Sequence, residues 1–159
     1  MTAPNVIFVC WGNICRSPMA EVVARRWAAR SGVDAAFTSA GVSSEEEGNP
    51  MDPRAVAVLR RAGYPLGEHA AHRITAAEVR EAALVVAMEQ SHLDRMRQLV
   101  PDATNLRLLT DFDPDAEPGS GVPDPWYGSA AGFADTLSSI EAAMPELLDQ
   151  VREFSTPVG

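Results

Sequence analysis

The chain has 159 residues, 46% of them hydrophobic and 22% charged, which is the composition of one soluble globular domain (residues 1–159) with room for a proper core. A formal net charge of −9 speaks against nucleic acid as a partner, and no apolar run approaches the roughly 20 residues that span a bilayer, so no membrane partner is expected. The start Met1-Thr2-Ala3-Pro4-Asn5 lacks a basic n-region, which predicts a protein that stays in the cytoplasm.

In chain order the pattern alternates strand and helix. Asn5–Cys10 reads as a buried strand, and Pro18–Arg30 carries Met19, Val22, Val23 and Trp27 at helical spacing. A second short strand is expected at Ala35–Ser39, followed by the loop Ala40–Met51 with its run Glu45-Glu46-Glu47. Asp52-Pro53 is an N-cap with proline at N1, opening a helix that Gly63 ends. Thr75-Ala-Ala-Glu78 has the form of a capping box for a short helix. Ala83–Met88 is a third buried strand, Ser91–Leu99 a helix closed by Pro101, and Leu106–Leu109 a fourth strand. Thr110–Gly128 is acidic and proline-rich, and Gly132–Phe154 reads as a last amphipathic helix. Four apolar strands separated by helices imply an α/β fold with a parallel sheet covered on both faces. Ligands of such sheets sit at the carboxyl ends of the strands, which is where Cys10 lies.

Directly after the first strand comes Cys10-Trp-Gly-Asn-Ile-Cys-Arg-Ser17. A strand that runs through a tight loop into a helix brings loop N–H groups and a helix N-terminus together, an arrangement that favours an anion. Phosphate is the expected guest, and a cysteine in that field is favoured as thiolate. The chain contains no lysine, which excludes a nucleotide P-loop, and the loop's one glycine, Gly12, excludes a dinucleotide fingerprint. Cys10 and Cys15, five residues apart, do not make a disulfide scaffold. His69, His72 and His92 show no metal-ligand spacing with them, so neither metal nor cofactor is expected. Breaking a phosphomonoester through cysteine also requires an acid to protonate the leaving oxygen. Asp124, in Val122-Pro-Asp-Pro-Trp-Tyr-Gly128, is stiffened by proline on both sides and followed by two aromatics. Asp111, Asp113 and Asp115 are its rivals in the same loop.

The chain resembles the low-molecular-weight protein tyrosine phosphatases. Cys10 to Glu21 matches their phosphate loop, and Asp124-Pro-Trp-Tyr-Gly128 their general-acid motif. Ser39-Ala-Gly41, Gly48-Asn-Pro-Met-Asp-Pro-Arg54, Ser91-His-Leu93 and Phe112-Asp-Pro114 fit in the right order. The resemblance implies a three-layer, flavodoxin-like fold with four parallel strands, and a metal-free, two-step hydrolysis of phosphotyrosine proteins that releases inorganic phosphate. It makes Cys10 the nucleophile, Arg16 the phosphate fork and Asp124 the acid and then base. Trp11, Gly12, Asn13, Ile14, Cys15 and Ser17 then belong to the phosphate site, with Trp126 and Tyr127 walling a slot for a phenyl ring. Ser17 would hydrogen-bond the Cys10 sulfur, and Asn13 would hold a left-handed loop conformation with help from Ser39 and His69. Cys15 would capture oxidised Cys10 as a disulfide.

Ile14 accompanies phosphotyrosine activity in this superfamily, where threonine marks the related protein-arginine phosphatases; these, and a non-catalytic phosphotyrosine-binding module, are the alternatives. A thiol-coupled arsenate reductase would need cysteines after Cys15, and there are none. One departure stands out: where many relatives carry an aromatic residue after Ser39-Ala-Gly41, this chain has Glu45-Glu46-Glu47, an acidic rim that would favour basic peptides, with Trp11 able to supply the aromatic surface.

Overall fold

The computed structural model describes residues 3–155. Strands β1 (Asn5–Cys10), β2 (Ala36–Gly41), β3 (Leu84–Ala87) and β4 (Leu106–Leu108) form one parallel sheet in the order β2-β1-β3-β4. Helices α1 (Arg16–Ser31), α2 (Pro53–Arg61), α3 (Ala76–Glu81), α4 (Gln90–Leu99) and α5 (Ala130–Ser155) cover it. Alternation along β1 divides the core in two, because successive strand side chains point to opposite faces. Val6, Phe8 and Cys10 join the side chains of α1, α2 and α5, while Ile7 and Val9 join those of α3 and α4. With both faces packed, the central strands are apolar from Val6 to Cys10 in β1 and from Leu84 to Ala87 in β3, and Phe8 stacks on Phe37 of β2 at 6.3 Å between ring centres. The three-layer flavodoxin-like arrangement expected from the sequence is the one observed. Among the described residues no helix is long and apolar enough to cross a membrane.

Several boundaries differ from the sequence reading, each for a local reason. Helix α1 begins at Arg16, two residues before Pro18. A proline at the third helical position costs nothing, since the first four N–H groups of a helix have no partner within it. Strand β2 runs on to Gly41 because Ser39, Ala40 and Gly41 keep pairing with Phe8, Val9 and Cys10. Strand β4 stops at Leu108, where the Asp111 carboxylate accepts from the Leu108 N–H and curls the chain into a 3₁₀ turn, Leu109–Phe112. Helix α5 starts at Ala130 and runs through Pro145. Both caps read from the sequence are present: Asp52 accepts from Arg54 N–H at 2.8 Å, and Thr75 and Glu78 close their capping box.

The connection reverses direction between β1 and β3, so a crevice opens at their carboxyl ends. Cys10 ends β1, and beyond β3 the Met88 carbonyl receives the Val122 N–H at 2.8 Å. That bond brings the acidic loop back over the crevice and sets Asp124 on its edge.

Candidate active site

The loop between β1 and α1 is held from outside by its carbonyls. That of Cys10 accepts from Val42 N–H (2.9 Å), that of Trp11 from Ser43 N–H (3.1 Å) and Ser43 Oγ (3.0 Å), that of Asn13 from His69 Nε2 (2.6 Å), and that of Ile14 from Asp52 N–H (2.8 Å). A planar trans peptide points its N–H opposite to its C=O, so carbonyls bound outward turn the following N–H groups inward. Among the described residues, none of the N–H groups from Trp11 to Cys15 has a protein acceptor. The result is a concave row of donors leading into the N-terminus of α1, a cradle for an anion with several oxygens.

The bend needs a left-handed residue, and Asn13 supplies it with φ 61°, alone among the described non-glycine residues. Its buried side chain uses three hydrogen-bonding positions. Nδ2 donates to Ser17 Oγ (2.9 Å) and Ser39 Oγ (3.0 Å), and Oδ1 accepts from His72 N–H (3.2 Å). Ser39 in turn donates to Glu21 Oε1 (3.0 Å). His69 therefore supports the loop through a backbone carbonyl, with its proton on Nε2. Asn13 and Ser17, expected among the phosphate contacts, direct their side chains behind the cradle, where both are fully buried. Ser17 Oγ lies 3.0 Å from Cys10 Sγ and 3.3 Å from the Ala40 carbonyl. Its single proton can serve either acceptor, and a charged sulfur takes it in preference to a neutral carbonyl.

Gly41 closes this support. A Cβ there would stand 2.8 Å from the Trp11 carbonyl oxygen and 3.2 Å from the Gly12 carbonyl carbon, both backbone atoms of the cradle. Gly41→Ala should cost about 1–3 kcal/mol in stability, as other overpacked sites do, and should weaken competitive inhibition by inorganic phosphate. Denaturant midpoints and phosphate inhibition constants measure both, and unchanged values would mean that the loop yields freely.

Arg16 is 2% exposed. Its Nη1 donates to Glu89 Oε1 (2.6 Å) and the Val122 carbonyl (2.7 Å), and its Nη2 stands 3.5 Å from Asp124 Oδ2. The guanidinium is thus fixed from behind, with its plane set before any ligand arrives. Burial would raise the Glu89 carboxyl, but the hydrogen bond and charge of Arg16 outweigh it and hold it below the ordinary range. Glu89 was not foreseen in the sequence; its signal was a carboxylate at the carboxyl end of a predicted strand.

Cys10, Trp11, Gly12, Ile14, Cys15, Arg16, Glu45, Glu46, Asp124, Trp126 and Tyr127 line one cleft of about 190 Å³, smaller than the roughly 300–1,000 Å³ of drug-sized ligand pockets and suited to one side chain. Trp126 and Tyr127 are 43% and 89% exposed, so they wall the cleft and do not pack a core. Asp124 accepts from the Trp126 N–H at 3.0 Å. Its rivals are occupied elsewhere: Asp111 with Leu108, and Asp113 with the Asp115 N–H. Trp11 stands at the rim, donating Nε1 to Glu45 Oε2 (2.9 Å) under the Arg95 guanidinium. The acidic rim comprises Glu45 and Glu46 only, because the Glu47 carboxylate turns away to accept from the Arg73 N–H.

Burial pushes the Cys15 thiol up to about 12, with Asp52, Cys10 and Asp124 adding their negative charges. Cys15 and Cys10 are both buried and unbonded. Among the described residues no cluster of side chains could hold a metal ion.

Burial, with the charge of Arg16 behind it, lowers His92 from 6.5 to about 4. The unfolded chain takes up this proton near 6.5 and the folded chain only near 4. Stability should therefore fall as pH drops through that window, by up to about 3 kcal/mol. Denaturant unfolding at pH 7 and pH 4.5 should show the loss, and His92→Gln should flatten it. An equal slope in the variant would assign the effect to other groups.

The family model described as low molecular weight phosphotyrosine protein phosphatase matches residues 5–156. A low-molecular-weight protein-tyrosine-phosphatase of Streptomyces coelicolor is 44% identical over 155 residues, covering 94% of each chain. The crystal structure of YfkJ from Bacillus subtilis superposes with a TM-score of 0.90 at 28% identity, over 98% of this chain and 99% of that one. The arginine phosphatase YwlE superposes with a TM-score of 0.81 at 29% identity, over 94% of this chain and 96% of that one. Matched over nearly all of its length, the chain belongs to the low-molecular-weight phosphotyrosine protein phosphatase family.

Proposed function

We propose that the protein hydrolyses phosphotyrosine in protein substrates through a phosphocysteine on Cys10. The observation that carries this reading is a buried sulfur held by Ser17 beneath a cradle of inward N–H groups, with Asp124 at the edge of the same cleft. The substrate phosphate sits in the cradle, two of its oxygens on the fork of Arg16. Cys10 Sγ attacks phosphorus in line; the S–P bond forms as the P–O bond to the tyrosine ring breaks, and Asp124 gives its proton to the departing oxygen. Asp124, now a carboxylate, takes a proton from a water that attacks the phosphocysteine. The S–P bond breaks, inorganic phosphate leaves and the thiolate is restored. No metal or cofactor enters these steps.

On this reading the phenyl ring of phosphotyrosine lies against Trp126 and Tyr127, which line the cleft with Cys10, and a shorter phosphoserine would leave its phosphate above Cys10. The likeness to YwlE makes phosphoarginine the second substrate to test. Ile14 in the cleft wall favours the aromatic ring, having no polar atom for a guanidinium. Matched phosphotyrosine, phosphoserine and phosphoarginine peptides separate the readings: release of phosphate from phosphotyrosine is expected to dominate, preferential release from phosphoarginine would replace the assignment, and binding without release from any would make the protein a reader.

A cysteine nucleophile needs a reducing compartment, which on this reading is the cytoplasm. It also invites redox control. Peroxide transfers an oxygen to the Cys10 thiolate to give a sulfenic acid; Cys15 attacks that sulfur, and water leaves as the disulfide forms. Inactivation by peroxide should therefore be reversed by dithiothreitol in the native protein, with loss of two hydrogens in the oxidised mass. In Cys15→Ser the same treatment should drive Cys10 to sulfinic and sulfonic acids, and equal recovery of the two proteins would leave Cys15 a packing residue.

A further inference from the structure

Arg54 stands second in α2 and takes no part in the chemistry above, yet its side chain joins α2 to the turn that carries Asp124. Its Nε and Nη2 hold the Asp52 carboxylate at 3.1 and 3.0 Å, and its Nη1 points to the Trp126 carbonyl at 3.4 Å. The guanidinium lies over two rings, 4.7 Å from the centre of Phe133 in α5 and 5.2 Å from that of Trp126. Phe133 is fully buried, whereas Trp126 is 43% exposed. One cation is thus packed between a ring that belongs to the core and a ring that belongs to the cleft.

Both ends of this bridge lead to reacting groups. Asp52 donates its N–H to the Ile14 carbonyl, one of the outward bonds that shape the cradle. Trp126 gives its N–H to Asp124 Oδ1, so the residue that Arg54 holds by ring and carbonyl is the one that orients the acid. The prolines stiffen the turn within itself, and Arg16 Nη2 stands 3.5 Å from Asp124 Oδ2. But Asp124, Trp126, Tyr127, Gly128 and Ser129 are all exposed and only Pro125 is buried, so burial does little to anchor the turn to the body. A turn displaced as a unit would misplace the acid, which then loses most of its value, because proton transfer needs hydrogen-bond distance.

We infer that Arg54 is a positioning residue for the general acid, clamping the Asp124–Tyr127 turn to α2 and α5 through Trp126. This rests on the reading of Asp124 as the acid. Arginine suits the task because its planar fork can hold a carboxylate with one edge, a carbonyl with another N–H and an aromatic ring on each face; lysine has one charged atom and no plane.

The test uses the full chain and aryl phosphates spanning a wide range of leaving-group basicity, read as kcat/KM, with inorganic phosphate as competitive inhibitor. In Arg54→Ala, kcat/KM on phenyl phosphate should fall by ~10-fold or more, a part of the roughly 10²–10⁴ that a general acid supplies, while dinitrophenyl phosphate should lose less than ~3-fold. Phosphate inhibition should be unchanged, since the cradle remains. In an Asp124→Asn background, Arg54→Ala should cost almost nothing more, as expected for two residues acting through one proton. Arg54→Lys keeps the ion pair with Asp52, and so reports on positioning even if the alanine variant does not fold; its loss should be smaller and equally selective. A loss uniform across leaving groups, a full additional loss in Asp124→Asn, or a matching rise in the phosphate inhibition constant would overturn the inference. If Asp124→Asn itself shows no leaving-group dependence, the acid assignment falls and the inference falls with it; a selective Asp124→Asn beside a uniform Arg54→Ala overturns the inference alone.

Discussion

Cys10→Ser is expected to abolish turnover of aryl phosphates while leaving the fold and phosphate binding in place. The substitution exchanges sulfur for oxygen at a buried position beside Ser17, with no change of shape that the core would feel. The cradle amides, the Arg16 fork and the anchors of Arg16 on Glu89 and Val122 are untouched. What disappears is the nucleophile, because a serine hydroxyl at neutral pH is almost wholly protonated, and Asp124, on the proposed reading, enters the first step as an acid and not as a base. Binding of phosphate by the variant, seen as protection against thermal unfolding, should therefore persist within a few-fold. Retention of a substantial fraction of the native rate would disprove covalent catalysis at this position; loss of phosphate protection together with activity would make Cys10 a structural residue.

Asp124→Asn should divide substrates by the basicity of what leaves. With phenolate, which needs a proton in the transition state, the loss should approach the roughly 10²–10⁴-fold typical of general acids. With a dinitrophenolate the first step should be nearly unaffected. The second step needs the same carboxylate as base, so the variant should accumulate phosphoenzyme on activated substrates and show a burst of product. The asparagine keeps the oxygen that receives the Trp126 N–H, so the turn itself is preserved. A uniform loss across leaving groups would transfer the acid to another residue.

The parts of the site that lie close together in the chain were legible from it. Cys10, Asn13, Arg16 and Ser17 occupy one strand-loop-helix, and the helix end, the turn residue and the nucleophile define one another through local geometry. Asp124 could be picked out as a candidate because prolines and aromatics frame it; it lines the cleft, whereas Asp111 and Asp113, which lack that frame, cap turns away from it. Glu21, Glu89 and Arg54 were not legible as functional groups. Each acts on a residue far off in sequence, Glu21 on Ser39, Glu89 on Arg16 and Arg54 on Trp126, and only the folded chain brings these partners together. The part played by His72 was hidden more deeply, since it serves Asn13 through a backbone N–H, which no side-chain pattern announces. The run Glu45-Glu46-Glu47 shows the limit of composition: two of the three face the cleft and the third turns away, a matter of backbone direction that three identical residues cannot encode.

The most direct test of the covalent mechanism is an acid quench during steady-state turnover of an aryl phosphate, followed by peptide mapping for a bound phosphoryl group. The phosphoryl group is expected on Cys10 alone, at higher occupancy in Asp124→Asn with an activated leaving group, and absent in Cys10→Ser. A phosphoryl group on any other residue, or turnover with a product burst and no labelled peptide, would contradict it.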